Sequence, residues 1–244
     1  MSKFITKLET LANELRIDQI NQQVHEVKII DQAVKNRQIL AKAPATLGFA
    51  PDEMEEIGWK VPKSQLKNTQ TVNNLLNNVR QYLSLTYGIW SLPNAKVAHL
   101  IKEKLHVNSA LEVMAGNAYW SKALKEAGIK VRSTDSLEWS KTSQTGQQPF
   151  SFVENLDAVN AVKKYANTDL IICSWSPNFG KSDLELVKAR KMYAPQAKLL
   201  FIGEKSGATN SPEFWQTAGP VEMNDLNCSF KSYDFIEEKF FEVK

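Results

Sequence analysis

An α/β fold with a mostly parallel sheet, helices on both faces and an antiparallel close at the C-terminus is the class this sequence predicts. Three observations predict it. From about residue 88 apolar strand-like runs alternate with helical patterns, the grammar of repeated strand–helix–strand units. One run, Asp169-Leu170-Ile171-Ile172-Cys173, is continuously apolar, as a strand covered on both faces must be. Before residue 88 the only regular patterns are helical, which predicts a helical extension over 1–87 followed by the sheet domain over 88–244.

The elements follow in order. Residues 3–42 lack Gly and Pro, and Phe4, Leu8, Leu11, Leu15, Ile20, Val24, Val27 and Ile30 recur at helical spacing, giving one long helix or two in series. Segment 44–63, with three prolines and two glycines, reads as an irregular connector. An amphipathic helix over 66–86 follows, and Pro93 suits the first turn of the next. Strands are expected at Ala110–Met114, Lys130–Thr134, Phe150–Val153, Asp169–Cys173 and Lys198–Ile202. Helices are expected from Tyr119 to Ala127, through Val159, Val162 and Tyr165, after a Ser182/Glu185 capping box, and from Ser211-Pro212. Residues 227–243 read as a closing hairpin.

Composition narrows the function classes. Hydrophobic residues are 43% and charged residues 23% of 244, ordinary for a globular chain. Cys173 and Cys228 form no CxxC pair, which favours a reducing, cytoplasmic setting. No run approaches the roughly 18 apolar residues of a membrane span, and Met1–Glu9 lacks the apolar core of a signal peptide. A net charge of +3 without a dense basic stripe argues against nucleic acid as partner. The three histidines do not converge and no Cys/His cluster has zinc spacing, so no metal is expected.

The chemistry concentrates between Ala110 and Asp135. Glu112 lies in the first strand, Ala115-Gly116-Asn117 supplies a small-residue turn, and Asp135 stands 19 positions after Gly116 at the end of the second strand. Such a unit sets a helix N-terminus and two acids around one crevice, suited to a nucleoside-containing cofactor. A dinucleotide fingerprint would read GxGxxG; here an acid precedes the turn, which suits a cationic amine and repels a pyrophosphate. Asp135 has the spacing of a ribose-binding carboxylate or of a turn cap. Trp175, after the fourth strand, reads as a wall of the ligand crevice or a core closure. Glu204, after the fifth, reads as a substrate-facing base or a partner of Lys205.

Glu112 to Ala118 resembles the first motif of the class I S-adenosylmethionine-dependent methyltransferases, with their Rossmann-like sheet, and Thr134-Asp135 resembles their ribose-binding acid. Asn155-Leu156-Asp157-Ala158 is similar to their third-strand turn at the adenine edge. Over about residues 87–217 the likeness is closer, to a methyltransferase-like family of unassigned substrate. It is carried by Tyr87-Gly88-Ile89-Trp90-Ser91-Leu92-Pro93, Gly116-Asn117-Ala118-Tyr119-Trp120, Ser174-Trp175-Ser176-Pro177, Phe201-Ile202-Gly203-Glu204 and Gly207-Ala208-Thr209. The resemblance implies S-adenosylmethionine as cofactor and methyl transfer to an unidentified, small-molecule acceptor. It implies Glu112 at the cofactor ammonium and Met114, Ala115, Gly116 and Asn117 in close contact. Asp135 and Ser136 fall at the ribose, and Asp157, Ser174 and Trp175 at the adenine. Tyr87 and Trp90 complete that set toward the methyl, with Trp175 and Glu204 as catalytic candidates. The N-terminal helices would cover the site or form a homodimer surface. Two departures stand out. The class has glycines at the positions of Met114 and Ala118, which implies ordinary extended backbone at Met114 or a degraded, non-catalytic binding site. The Asp/Asn-Pro-Pro-aromatic element of amino-methylating nucleic-acid enzymes is missing, which argues against adenine or cytosine as acceptor.

Overall fold

A computed structural model describes residues 2–141 and 143–244. Seven strands form one sheet: β1 (Ser109–Val113), β2 (Lys130–Asp135), β3 (Glu154–Asn155), β4 (Leu170–Ser174), β5 (Lys198–Glu204), β6 (Val221–Glu222) and β7 (Glu238–Val243), in the order β3-β2-β1-β4-β5-β7-β6. β1 to β5 run parallel, whereas β7 pairs antiparallel with β5 and β6 antiparallel with β7. The chain leaves β3 at one edge and returns to β4 beside β1. Strand order therefore reverses at β1/β4, the switch point where open α/β sheets form a crevice beyond the strand carboxyl ends.

Period-two alternation explains how the strands are buried on both faces. Ala110, Leu170, Ile172, Leu200 and Ile202 enter one apolar layer with Val97, Ile101, Trp120 and Phe240. Their neighbours Leu111, Val113, Ile171, Cys173, Leu199 and Phe201 enter the opposite layer with Val162, Leu186 and Phe214. The helices that supply these layers are α6 (Ala95–Leu105), α7 (Tyr119–Glu126), α8 (Ala158–Lys164), α9 (Ser182–Tyr193), α10 (Pro212–Thr217) and α11 (Asn224–Asn227), counted after the N-terminal five.

Those five are α1 (Lys3–Leu15), α2 (Asp18–Lys35), α3 (Pro51–Trp59), α4 (Leu66–Asn77) and α5 (Val79–Tyr87). The stretch 3–42 expected to be helical holds two helices, broken where Arg16 takes a left-handed turn with φ 53°, and the second ends at Lys35. The segment expected to be an irregular connector holds α3. Pro51 starts it at the position where a missing N–H is harmless, and Glu53 accepts from the Ala50 amide at 2.7 Å. The expected single helix over 66–86 is interrupted at Asn78, which leaves helical geometry. Pro93 stands outside α6, whose cap is Asn94, accepting from Val97 at 3.0 Å. β3 begins at Glu154, beyond the expected Phe150–Val153. Ser182 caps nothing: Lys181 is the cap residue of α9, and Glu185 faces the cavity described below. The closing hairpin is formed by β6 and β7 with α11 between them, so only the end of 227–243 is strand.

A buried ion cluster joins the helical region to the sheet. Arg80 on α5 is 3% exposed. Its Nε and Nη2 donate to both oxygens of Asp234 at 2.7 and 2.9 Å, and Nη1 donates to Glu238 on β7 at 2.8 Å. Burial alone would lower its pKa, but Glu238 and Asp234 more than offset this and hold it above the ordinary guanidinium value. The apolar core of α1–α5 also takes in Tyr119 and Tyr233 from the later chain. Replacing Arg80 by Met strands two buried carboxylates, and urea unfolding followed by fluorescence is expected to show a loss of about 3–5 kcal/mol.

Candidate active site

Beyond the carboxyl ends of β1, β2 and β4 lies a cavity of about 630 Å3. Its walls are built by the loops after these strands and by the segment after α5, where Gly88 takes φ +67°. Only glycine serves at 88, because a Cβ there would fall 2.4 Å from Asn117 Nδ2. That Nδ2 donates to the carbonyls of Tyr87 and Thr145 at 2.6 and 3.0 Å. Asn117 thus ties the helical region to the turn after β1, and its Oδ1 is buried with no partner among the described residues.

The two acids singled out in the sequence both line this cavity. Asp135 is 7% exposed and braces two loops at once: the Gly116 amide donates to its Oδ2 at 2.9 Å and the Leu137 amide to its Oδ1 at 2.7 Å. Glu112 is 2% exposed and accepts from the Ser121 amide at 2.7 Å, in the first turn of α7. Burial pushes its pKa up to about 7, against the opposing pull of that hydrogen bond, with the Asp135 charge adding to the rise.

Met114 and Ala118 do not lie in ordinary extended backbone. Met114 has φ 51° and Ala118 φ 55°, both left-handed, as is Gly116 between them at φ 50°. A left-handed conformation in a non-glycine residue costs roughly 1–2 kcal/mol, and the surrounding bonds hold it. The Met114 side chain packs partly on the core beneath β1. It forms part of the cavity wall and leaves the space open.

The other predicted residues divide. Ala115, Gly116, Ser136, Asp157, Ser174, Trp90 and Trp175 line the cavity with Met114 and Asn117. Asp157 also caps α8, accepting from the Asn160 amide at 3.0 Å, and that bond holds its carboxyl below the usual range. Tyr87 is not in the wall: its hydroxyl donates to Asp31 at 2.8 Å, which turns the ring toward α2. Glu204 is not there either. It accepts from the Ala208 amide at 2.7 Å and lines a separate depression with Lys205 and Glu237. It stands outside the main cavity, and among the described residues it forms no ion pair with Lys205.

Sequence reading missed the support of the aromatic wall. Trp175, at φ 55°, donates through Nε1 to Glu238 at 2.9 Å, and its ring lies under Arg80 at 4.8 Å. Trp90 stacks on Trp175 with ring centroids 5.2 Å apart and 23° between planes. Trp139 and Phe179 are also in the wall, as are Glu138 and Glu185. Arg80 lies 154 positions before Asp234 and 158 before Glu238, and no motif marked the three.

No protein-family model matches this sequence, and no curated protein matches it. Among solved structures the chain is similar to human N-acetylserotonin methyltransferase in complex with SAM. The identity is 15%, over 78% of this chain and 62% of that one, with a TM-score of 0.43. It is similar to mitomycin 7-O-methyltransferase at 11% identity, over 74% and 59% of the two chains, TM-score 0.41. A third is the 1,6-didemethyltoxoflavin-N1-methyltransferase of Burkholderia thailandensis, at 12% identity over 68% and 86%, TM-score 0.41. The chain therefore spans less than two thirds of the length of the first two. Among the described residues no helix is long and apolar enough to cross a membrane.

Glu112 binds its proton more tightly folded than unfolded, so its burial penalty is absent below about pH 4 and grows as pH rises through about 7. Glu112→Gln keeps an acceptor for Ser121. Its unfolding free energy is expected to gain on that of the native sequence between about pH 5 and 8. Parallel stability curves in urea would contradict the assigned cause.

Proposed function

We propose that this protein is an S-adenosylmethionine-dependent methyltransferase acting on a small molecule. The charge of the cavity carries the reading. Glu112, Asp135, Glu138, Asp157 and Glu185 line it, and no Lys, Arg or His does so among the described residues. A pyrophosphate or nucleic-acid backbone would meet acids with no cationic side chain in the wall, Glu138 alone of them being paired with a lysine (Lys141), whereas a ligand bearing sulfonium and ammonium groups is favoured. The volume, about 630 Å3, lies in the range of about 300–1,000 Å3 usual for cofactor and small-ligand pockets. A silent, binding-only relative is the weaker reading, because Met114 leaves the cavity open.

When bound, the cofactor supplies an electrophilic methyl group on sulfur. The residues of the chain do the positioning. Glu112 would hold the ammonium while its other bond fixes it to α7. Asp135 would accept from the ribose hydroxyls, Asp157 and Ser174 would face the adenine, and Gly116 gives the backbone close approach. Positioning alone accounts for much of the rate of a bimolecular transfer, with effective molarities of about 10⁵–10⁸ M. A catalytic histidine is not required. Two free cysteines, one buried and one exposed, suit a reducing cytoplasm.

Calorimetric titration is expected to show binding of S-adenosylmethionine and of its demethylated product, and none of NAD(H). Asp135→Ala should weaken the sulfonium compound by about tenfold or more, the usual loss for a hydrogen bond to a charged group. No binding by the native sequence at millimolar cofactor overturns the proposal.

A further inference from the structure

We infer that the acceptor is a planar nitrogen heterocycle of neutral charge, methylated on its ring nitrogen, and that the outer face of Trp90 receives it. This rests on the methyl-transfer reading above. Three observations lead to it.

The first is an aromatic stack with one free end. Arg80 lies over the Trp175 ring at 4.8 Å and donates to the Trp90 carbonyl, and the Trp90 ring stacks on that of Trp175 with centroids 5.2 Å apart. Arg80 is fixed by Asp234 and Glu238, and Glu238 also holds the Trp175 indole. The stack is therefore rigid at its base, while Trp90 is 49% exposed and lines the cavity. Phe179, 76% exposed on the loop after β4, lines it too. A flat ring is the shape such a wall accepts.

The second is the sign of the field. The whole chain carries a net charge of +3, yet the cavity is lined by acids without a cationic side chain. The preference for positive charge is thus local to the site and opposes the overall balance. Aromatic faces add to it, because a cation over an indole is attracted by the ring quadrupole.

The third is that the wall offers engaged carboxylates and no imidazole. Among the described residues no histidine lines the cavity, and four of its five acids are already held: Glu112, Asp135 and Asp157 by backbone amides, and Glu138 by Lys141. Transfer to a hydroxyl needs a proton removed. Transfer to a neutral ring nitrogen does not: its lone pair forms the N–C bond, the C–S bond breaks with its electron pair left on sulfur, and no proton moves. Positive charge passes from sulfur to the heterocycle inside a site that favours it at both positions.

The test uses the full chain, with isoquinoline as acceptor probe, N-methylisoquinolinium as product probe, and 2-naphthol and 2-naphthoate as matched rings. Binding is read by quenching of tryptophan fluorescence and by calorimetry, with and without S-adenosylhomocysteine. N-methylisoquinolinium is expected to bind, the naphthol to bind more weakly and the naphthoate least. Trp90→Ala should weaken the cation by about fivefold, a modest cation–π loss, Trp90→Phe should restore part of it, and the exposed, remote Trp59→Ala should change nothing. With S-adenosylmethionine added, isoquinoline should yield its N-methyl cation. Equal or tighter binding of naphthol or naphthoate overturns the inference, as does failure of every ring to bind or indifference to Trp90→Ala. Cofactor bound and naphthol methylated in preference to isoquinoline overturns it as well. If the cation binds as expected but S-adenosylmethionine does not, the methyl-transfer reading fails, and the ring nitrogen's role as acceptor fails with it.

Discussion

One buried guanidinium holds the arrangement together. Arg80 comes from the helical region, its two carboxylate partners come from the last stretch of the chain, and the indole it covers stands at the end of a central strand. Taking such charges out of water is unfavourable by several kcal/mol per ion, so the cluster gives little net stability beyond an apolar core of the same volume. Its value is positional. Asp234 grips the guanidinium with both oxygens, and Glu238 is shared between Arg80 and Trp175. The direction of the Trp175 ring, and with it the stack that ends at Trp90, is set by bonds from three separate parts of the chain.

That geometry explains why the N-terminal helices belong to the site. Their apolar stripes are buried inside the chain against one another and against Tyr119 and Tyr233. The segment that leaves α5 passes through Gly88, whose preceding residue Tyr87 is held through its carbonyl by Asn117, and delivers Trp90 to the cavity. A sheet without these helices would lack one wall. The same link couples the turn after β1 to the helical region, since Asn117 sits between them.

Local chemistry was readable in the sequence and long-range support was not. The parallel strands β4 and β5 could be read because strands covered on both faces leave apolar runs, and β1 and β2 because a small-residue turn and a helical pattern lie between them. Glu112 and Asp135 could be placed because their spacing follows from a strand–helix–strand unit. Glu204 was misplaced for an instructive reason. Its position at the carboxyl end of β5 is correct for a ligand-facing residue, but the next turn folds back so that its carboxylate meets the Ala208 amide. Tyr87 was drawn away by Asp31, a partner 56 positions earlier that no local pattern reveals. The break at Asn78 and the start of α3 at Pro51 are local events in which a polar side chain or a proline acts at a helix end, where its effect is opposite to that in a helix interior.

The left-handed residues give the site its remaining character. Met114, Ala118, Leu137 and Trp175 all have φ between 51° and 57°, and all sit at or just beyond the carboxyl ends of β1, β2 and β4. Four such residues on one rim represent several kcal/mol of unfavourable backbone at roughly 1–2 kcal/mol each, so the surroundings must over-determine them. They do so with hydrogen bonds to buried carboxylates and backbone carbonyls. Asp135 holds the amides of Gly116 and Leu137, and Glu238 holds the Trp175 indole while the Ile202 carbonyl accepts from its amide. The acids of the cavity thus fix their own loops before any ligand arrives. A ligand that approaches Asp135 meets a carboxylate already oriented by two amides, which lowers the ordering needed on binding. It also means that no replacement of Asp135 acts on the ligand alone, because the strained turn at Gly116 loses its brace at the same time.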